Sequence, residues 1–436
     1  MTSSPNLTYV GGFAAAKQQS KGNPQQIQQI QQQQQEIHSL LSSKIQTAHN
    51  DGRQLSQQIS KIKQANQDSN LRSMSTNNMK TDAIGPLLNL KPYQNLKGHY
   101  NKVLSLCWHP DNKHLLTASQ DGFILVWDTT TSLKKSFIQL EDPYVTCCDI
   151  SGNGKFVASG GLDSTCYVYK LDNGFLSGTG GAQPKKNSLL SIFKKHTEYI
   201  SDVKFMANST DLLSCGGDKV IGLWDLNKGG ITRQFNGHLG DVLSLSVNKN
   251  DPNLFVSCSC DRLAKVWDVR DPSNVRSYMC SNKADSSVCQ FFPDYNSFSV
   301  GSDDETLRLF DLRSDCLLEM YDPKVVHHYM KQKNILSNGF DQSSDEQSLV
   351  GSLKNSRMGA IDNPGVLSID YSMSGRMMFV AYADYNPVVI WDTLKGEVVG
   401  CLEGHKDVVS QVKVSNDGVG VATGSRDYIT KIWSTV

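Results

Sequence analysis

Neither sign of charge predominates in this chain of 436 residues, since Lys and Arg number 43 and Asp and Glu also 43. No overall field therefore favours nucleic acid or anionic lipid, and no block of basic residues supplies one locally. No apolar run approaches the roughly 18 residues of a membrane span. The short stretch Val10 to Ala16 lacks a basic flank, so no signal peptide is expected. Cysteine is present 11 times, yet metal-binding spacing is missing. The nearest approach, Cys258-x-Cys260, has no His or second Cys pair at zinc distance, so neither a metal nor any other cofactor is expected. Cys107, Cys147, Cys148, Cys166, Cys215 and Cys258 all sit in apolar strand runs, the usage of small buried thiols in a reducing cytosol.

Helical or strand periodicity is also lacking at the start. Residues 1 to 24 are polar, and nine of the eleven residues from Gln25 to Gln35 are Gln. Such composition buries too little apolar surface to fold alone, and residues 1–35 read as a disordered extension. From Glu36 a helical stripe begins, carried by Ile37, Leu41, Ile45, Ala48, Leu55, Ile59, Ile62 and Ala65. The stripe is narrow, Asp51 and Gly52 weaken its middle, and Ile45 and Ile59 fall one place off the seam of Leu41, Leu55 and Ile62. A helix over residues 36–75 that needs a heterologous partner helix is the consequence.

Beyond the helix the chain is repetitive. The stretch Gly98 to Asp128 has Gly98-His99 at its head and Trp127-Asp128 at its end, and the frame returns with closing aromatics at Tyr169, Trp224, Trp267, Phe310, Trp391 and Trp433. The steps are 42, 55, 43, 43, 81 and 42 residues, so there are seven units, two of them carrying insertions at about 173–187 and 324–363. The second insertion is polar and carries Ser337, Ser343, Ser344, Ser348, Ser352 and Ser356, where a kinase could add charge. Each unit reads as four short strands.

Four units share one set of side chains: His99, Thr117, Asp121 and Trp127; His196, Ser214, Asp218 and Trp224; His238, Ser257, Asp261 and Trp267; His405, Thr423, Asp427 and Trp433. A hydrolase needs one Ser-His-Asp site in one cleft, whereas this set recurs at near-identical spacing, so it reads as scaffolding and no enzyme activity is expected. The second unit keeps Ser159 and Asp163 but has Tyr169 and no His. The fifth has Asn282, Val300, Asp304 and Phe310, and the sixth keeps Trp391 with Asp384 one place early.

This frame resembles the WD repeat. The resemblance implies an all-β, seven-bladed WD-repeat β-propeller over residues 88–436, preceded by the N-terminal coiled-coil helix, with each set forming one buried hydrogen-bond chain. Because the last unit ends at Trp433-Ser434-Thr435-Val436, Leu88 to Leu96 is expected to supply its outer strand and close the ring.

The helix in front of a seven-unit ring, together with ASQDGFILVWD (118–128), VASGGLDSTCYVY (157–169), GHLGDVLSLS (237–246), GSDDETLRLFDLR (301–313) and VATGSRDYITKIW (421–433), is similar to the β subunit of heterotrimeric G proteins. The resemblance implies a coiled coil with a small γ subunit through Leu55, Ile59, Ile62, Ala65, Leu71 and Met74, and membrane attachment at the inner face of the plasma membrane through the lipid of γ. It further implies that a GDP-loaded α subunit, coupled to a receptor, and effectors after its release share one face of the ring. Positions carried over are Lys102, Leu104, Lys134, Tyr144, Thr146, Leu162, Tyr199, Asp241, Leu243, Asp285 and Asp303, with Arg426 where the family often has Trp and Leu104 where it often has Tyr. The Gln-rich start and the Ser-rich insertion resemble fungal versions, which implies recruitment of a kinase scaffold in mating-pheromone signalling. The competing class is a WD scaffold or ubiquitin-ligase substrate receptor, indifferent to guanine nucleotide.

Overall fold

The computed structural model describes residues 39, 42–47, 50, 53, 54, 58, 90–171, 189–333 and 365–435. Residues 42–47 are helical, and Ile45 on them is exposed. Leu55, Ile59, Ile62, Ala65, Leu71 and Met74 lie outside the described residues, as do the Gln-rich tract and the serines of the second insertion.

The described residues from 90 onward form seven antiparallel sheets of four strands, the seven-bladed propeller expected from the repeat. Blades 1 to 6 span 103–139, 145–194, 200–236, 242–279, 286–321 and 366–402, each in simple chain order from inner to outer strand. Blade 7 takes its three inner strands from 409–434 and its outer one from Lys91–Lys97, which pairs antiparallel with Ile429–Ser434. The two ends of the ring thus share one sheet, leaving no open radial junction.

Strands in the middle of a blade are covered on both faces by the neighbouring blades, so they read as continuous apolar runs rather than alternating ones. His114–Ser119 and Phe123–Asp128 are buried along nearly their whole length, while the outer strand Lys134–Gln139 is mostly accessible. The core is accordingly seven clusters, each between two adjacent blades. Leu116 and Val126 meet Val157 and Tyr169 between blades 1 and 2. Leu96, Ala422 and Ile432 meet Leu106, Leu125 and Trp127 between blades 7 and 1.

One element lies outside the four-strand repeat. Where the second insertion begins, Pro323–Gln332 is an α-helix. The Asp322 side chain caps it by accepting from Lys324 N at 2.9 Å, and Pro323 occupies the first turn, where no N–H is needed. Val326 and Met330, four apart and fully buried, join the cluster of Tyr321 and Trp391 between blades 5 and 6. The Asp-Pro start and this apolar pair were the available signals.

Candidate partner-binding face

The four recurring sets order themselves by elementary donor logic. An indole N–H can only donate, so the Ser or Thr hydroxyl accepts from Trp, gives its own proton to His Nε2, and leaves His Nδ1–H to donate to the carboxylate. In blade 4, Trp267 Nε1 lies 2.8 Å from Ser257 Oγ, which is 2.7 Å from His238 Nε2, and His238 Nδ1 is 2.8 Å from Asp261. The sets of blades 1, 3 and 7 repeat this, with His99, His196 and His405 at 2.8, 2.7 and 3.0 Å from Asp121, Asp218 and Asp427.

Each Asp does two further things. Its Oδ1 accepts the N–H two residues on, as Asp261 does from Leu263, fixing the turn between second and third strands. Its Oδ2 accepts the N–H of the residue after His: Tyr100, Thr197, Leu239 or Lys406. Burial opposes ionisation of these carboxyls, but the His hydrogen bond and the backbone N–H groups outweigh it and hold Asp261 and Asp427 down at about 2. The clamped backbone turns the residue after His outward. Tyr100 is 88% and Leu239 80% exposed, on the same rim.

A second device shapes the centre. In every blade the pairing of the first two strands slips after the first residue, between Val103 and Ser105 in blade 1 and likewise through Val409 and Gln411 in blade 7. Such a bulge re-aims one side chain. The skipped residues are Leu104, Thr146, Ser201, Leu243, Ser287, Leu367 and Ser410, and all seven line a cavity of about 240 Å³ in the central channel. Three of their hydroxyls are spent on the next blade: Thr146 donates to Ile200 O, Ser201 to Val242 O and Ser287 to Val366 O, at 2.5 to 2.7 Å. Leu104, Leu243 and Leu367 remain as the apolar lining. Below them Lys204 forms an ion pair of 2.8 Å with Asp202 inside the channel.

Eleven of the twelve candidate positions fall on this face. Lys102, Tyr144, Tyr199, Asp241 and Asp285 lie just before inner strands, Leu162, Asp303 and Arg426 in turns between second and third strands, and Leu104, Thr146 and Leu243 on the bulges. Lys134 does not join them. It starts the outer strand of blade 1 opposite Trp127, at the far end of the blade from the turn 120–122. Thr146 has its hydroxyl committed and offers only its methyl group.

The face is chemically two-sided. Arg426 lines the mouth of the channel near blade 1, with Lys102 exposed on the adjoining loop. Across the ring, Asp241, Asp285 and Asp303 surround Cys260; burial first, then these three charges, push its thiol up to about 12. Tyr199 donates to Asp241 Oδ2 at 3.0 Å and links blades 3 and 4. Gly216 permits this placement, because a Cβ there would sit 2.0 Å from Tyr199 O. Tyr144 and Leu162 are 57% and 55% exposed. Exposed aromatic and aliphatic side chains beside charged groups are the composition of a protein-binding patch.

Comparison with known proteins decides the family. The family model described as G protein beta WD-40 repeat protein matches residues 42–345, and a single WD domain, G-beta repeat, matches residues 396–434. The chain belongs to the G protein β WD-40 repeat family. It is 38% identical over 422 residues to a guanine nucleotide-binding protein subunit beta of Saccharomyces cerevisiae, covering 94% of each chain. Proteins of the same name from Arabidopsis thaliana and Oryza sativa are 35% and 36% identical, covering 78% of this chain and 82% of theirs.

Sequence reasoning missed Tyr100, Leu239 and Tyr428, large side chains exposed on this rim, and Leu367 at the mouth. For the first two the signal was their place immediately after the His of a hydrogen-bond set. For Leu367 there was none, because a bulge is a property of pairing.

Proposed function

We propose that this chain is the β subunit of a heterotrimeric G protein, binding a GDP-loaded α subunit across the face that carries Leu104, Tyr199, Asp241 and Leu243 and engaging effectors there once α has left. Membership of the family carries this reading, and the composition of the face supports it. In this reading the helix of residues 36–75 pairs with a γ subunit, through Leu55, Ile59, Ile62, Ala65, Leu71 and Met74, and the lipid on γ holds the pair at the inner face of the plasma membrane. A receptor drives nucleotide exchange on α, and this chain signals by competition: one face cannot hold two partners at once. The effector branch we assign is the kinase scaffold of a mating-pheromone response. It is favoured by the yeast relative, whose similarity covers 94% of both chains, where the plant relatives cover 78% of this one.

The test is capture of this chain from its own cells in GDP and in GDP with aluminium fluoride. A small γ-like chain is expected in both and an α subunit only in the first. A nucleotide-indifferent set without γ would leave a WD scaffold or ubiquitin-ligase receptor instead. For the face itself, Asp241→Ala with Leu243→Ala should weaken α binding by about 2–4 kcal/mol in titration calorimetry, the range of central anchors. Unchanged affinity in a folded variant removes these two from the interface.

A further inference from the structure

On the side of blade 1 away from the partner-binding face, the turn after Val103–Trp108 reads His109-Pro110-Asp111-Asn112-Lys113-His114. It gathers two imidazoles and a carboxylate. Asp111 Oδ1 lies 3.0 Å from His109 Nδ1, and Asp111 Oδ2 lies 2.7 Å from His114 Nδ1. One ligand atom from each of the three residues falls within 4.8 Å of the others.

The tautomer of His109 makes the cluster more than a turn. Its Nε2 faces Gly154 O of blade 2 at 3.3 Å, where only an N–H can bond, and its Nδ1 receives the N–H of Asp111 at 3.2 Å. Nδ1 is therefore a lone pair, and it faces a carboxylate oxygen 3.0 Å away. Asp111 Oδ1 also accepts the N–H groups of Lys113 and His114, at 2.8 and 3.1 Å, so backbone donors hold the two acceptors side by side, the placement a cation needs to meet both. A ligating His that donates its other N–H to a backbone carbonyl is the usual outer shell of a metal site. The carbonyl is built for the purpose: Gly154 has φ +69°, and a Cβ on it would fall 2.6 Å from His109 Nε2.

We propose that His109, Asp111 and His114 form a binding site for a divalent transition-metal ion of the zinc class, which would clamp the turn of blade 1 against that of blade 2. Zinc–nitrogen and zinc–oxygen bonds of about 2.0–2.2 Å set tetrahedral ligand separations of about 3.3 Å. The observed 2.7 and 3.0 Å open to that value by small side-chain rotations. Binding displaces the proton that His114 Nδ1 shares with Asp111, and that proton goes to solvent; it also takes the Nδ1 lone pair of His109 from the Asp111 N–H, which turns to water on this exposed turn. Asp111 is exposed, so water completes the fourth position.

The test uses the full chain, stripped of metal and kept reduced with a phosphine, titrated with Co²⁺ as an optical probe and then with Zn²⁺ in calorimetry. The expected result is one equivalent with visible d–d bands, no thiolate-to-metal charge-transfer band, and at least a tenfold loss of affinity in His114→Gln and in Asp111→Asn. Asp111→Asn keeps an acceptor for the turn, and circular dichroism checks the fold of both. Thiolate bands, affinity equal in both variants and the parent, or no binding at all would each overturn the proposal. The last outcome would leave the cluster as a turn held by its backbone N–H groups alone.

Discussion

Ser257→Ala removes the middle of the blade 4 hydrogen-bond chain and nothing else of size. Ser257 and Trp267 are fully buried, and His238 is 6% exposed, so no solvent replaces the lost oxygen. Trp267 Nε1–H and His238 Nε2 both lose their partner, at 2.8 and 2.7 Å. An unsatisfied buried polar group costs about 1–3 kcal/mol, so the two together should destabilise by about 2–6 kcal/mol. Trp267→Phe removes one of the two orphans in advance. In that background the same Ser257→Ala change should cost less, by about 1–3 kcal/mol. Urea denaturation followed by circular dichroism gives all four stabilities of the cycle. Because Asp261 holds both His238 and the N–H of Leu239, partner affinity should fall along with stability. A cost below about 1 kcal/mol, or one unchanged by Trp267→Phe, would refute the reasoning, because the chain would then carry no energy as a chain.

Two further outcomes rest on the same geometry. Asp121, Asp218, Asp261 and Asp427 are all held below the ordinary carboxylate value, the last two at about 2, so the stability they contribute is complete above about pH 4 and is lost as pH falls towards 2. Urea midpoints measured over that range should fall steeply, and less so in Asp261→Asn; a flat profile contradicts the ionised pairs. Deleting residues 88–96 strips most of the outer strand from blade 7 and Leu96 from the cluster with blade 1, so the product should aggregate; a soluble, cooperatively melting protein in light scattering and calorimetry contradicts the closure.

The blades were legible because the frame between His and Trp is set by three strands and two turns of nearly constant length. Blades 5 and 6 show that the frame, not the hydrogen-bond set, makes a blade. In blade 5 Asp304 takes Thr306 Oγ1 and pairs with Arg308, and Phe310 brings no donor to satisfy. In blade 6 Trp391 Nε1 donates to Tyr382 Oη at 3.2 Å. Tyr382 pairs with Val366 as Ser119 pairs with Val103, so its long side chain reaches back from two places beyond the usual hydroxyl. A search at fixed offset cannot see that. Of the seven bulge residues only Leu104, Thr146 and Leu243 were among the candidates; Ser201, Ser287, Leu367 and Ser410 occupy the same bulge, and strand register is absent from any local pattern. Lys134, carried over by resemblance, lies at the other end of blade 1, because the third strand runs away from the turn 120–122 and the outer strand starts where it ends.

These devices bear on where a switch could reside. The rim carboxylates of the four recurring sets have both oxygens engaged, and at the mouth three of the seven bulges bind the next blade through a hydroxyl. Where the His is missing, another group serves: in blade 2 Tyr167 Oη donates to Asp163 at 2.7 Å. Changing the presented surface would require breaking several buried polar contacts together, each costly to leave unmade. A ligand shifts an equilibrium only by its differential affinity for two states, and these ties oppose a second state of the face. If this chain acts as a G protein β subunit, the state that changes on signalling therefore belongs to the nucleotide-binding partner, and the role of this face is to stay the same while α and effectors exchange upon it.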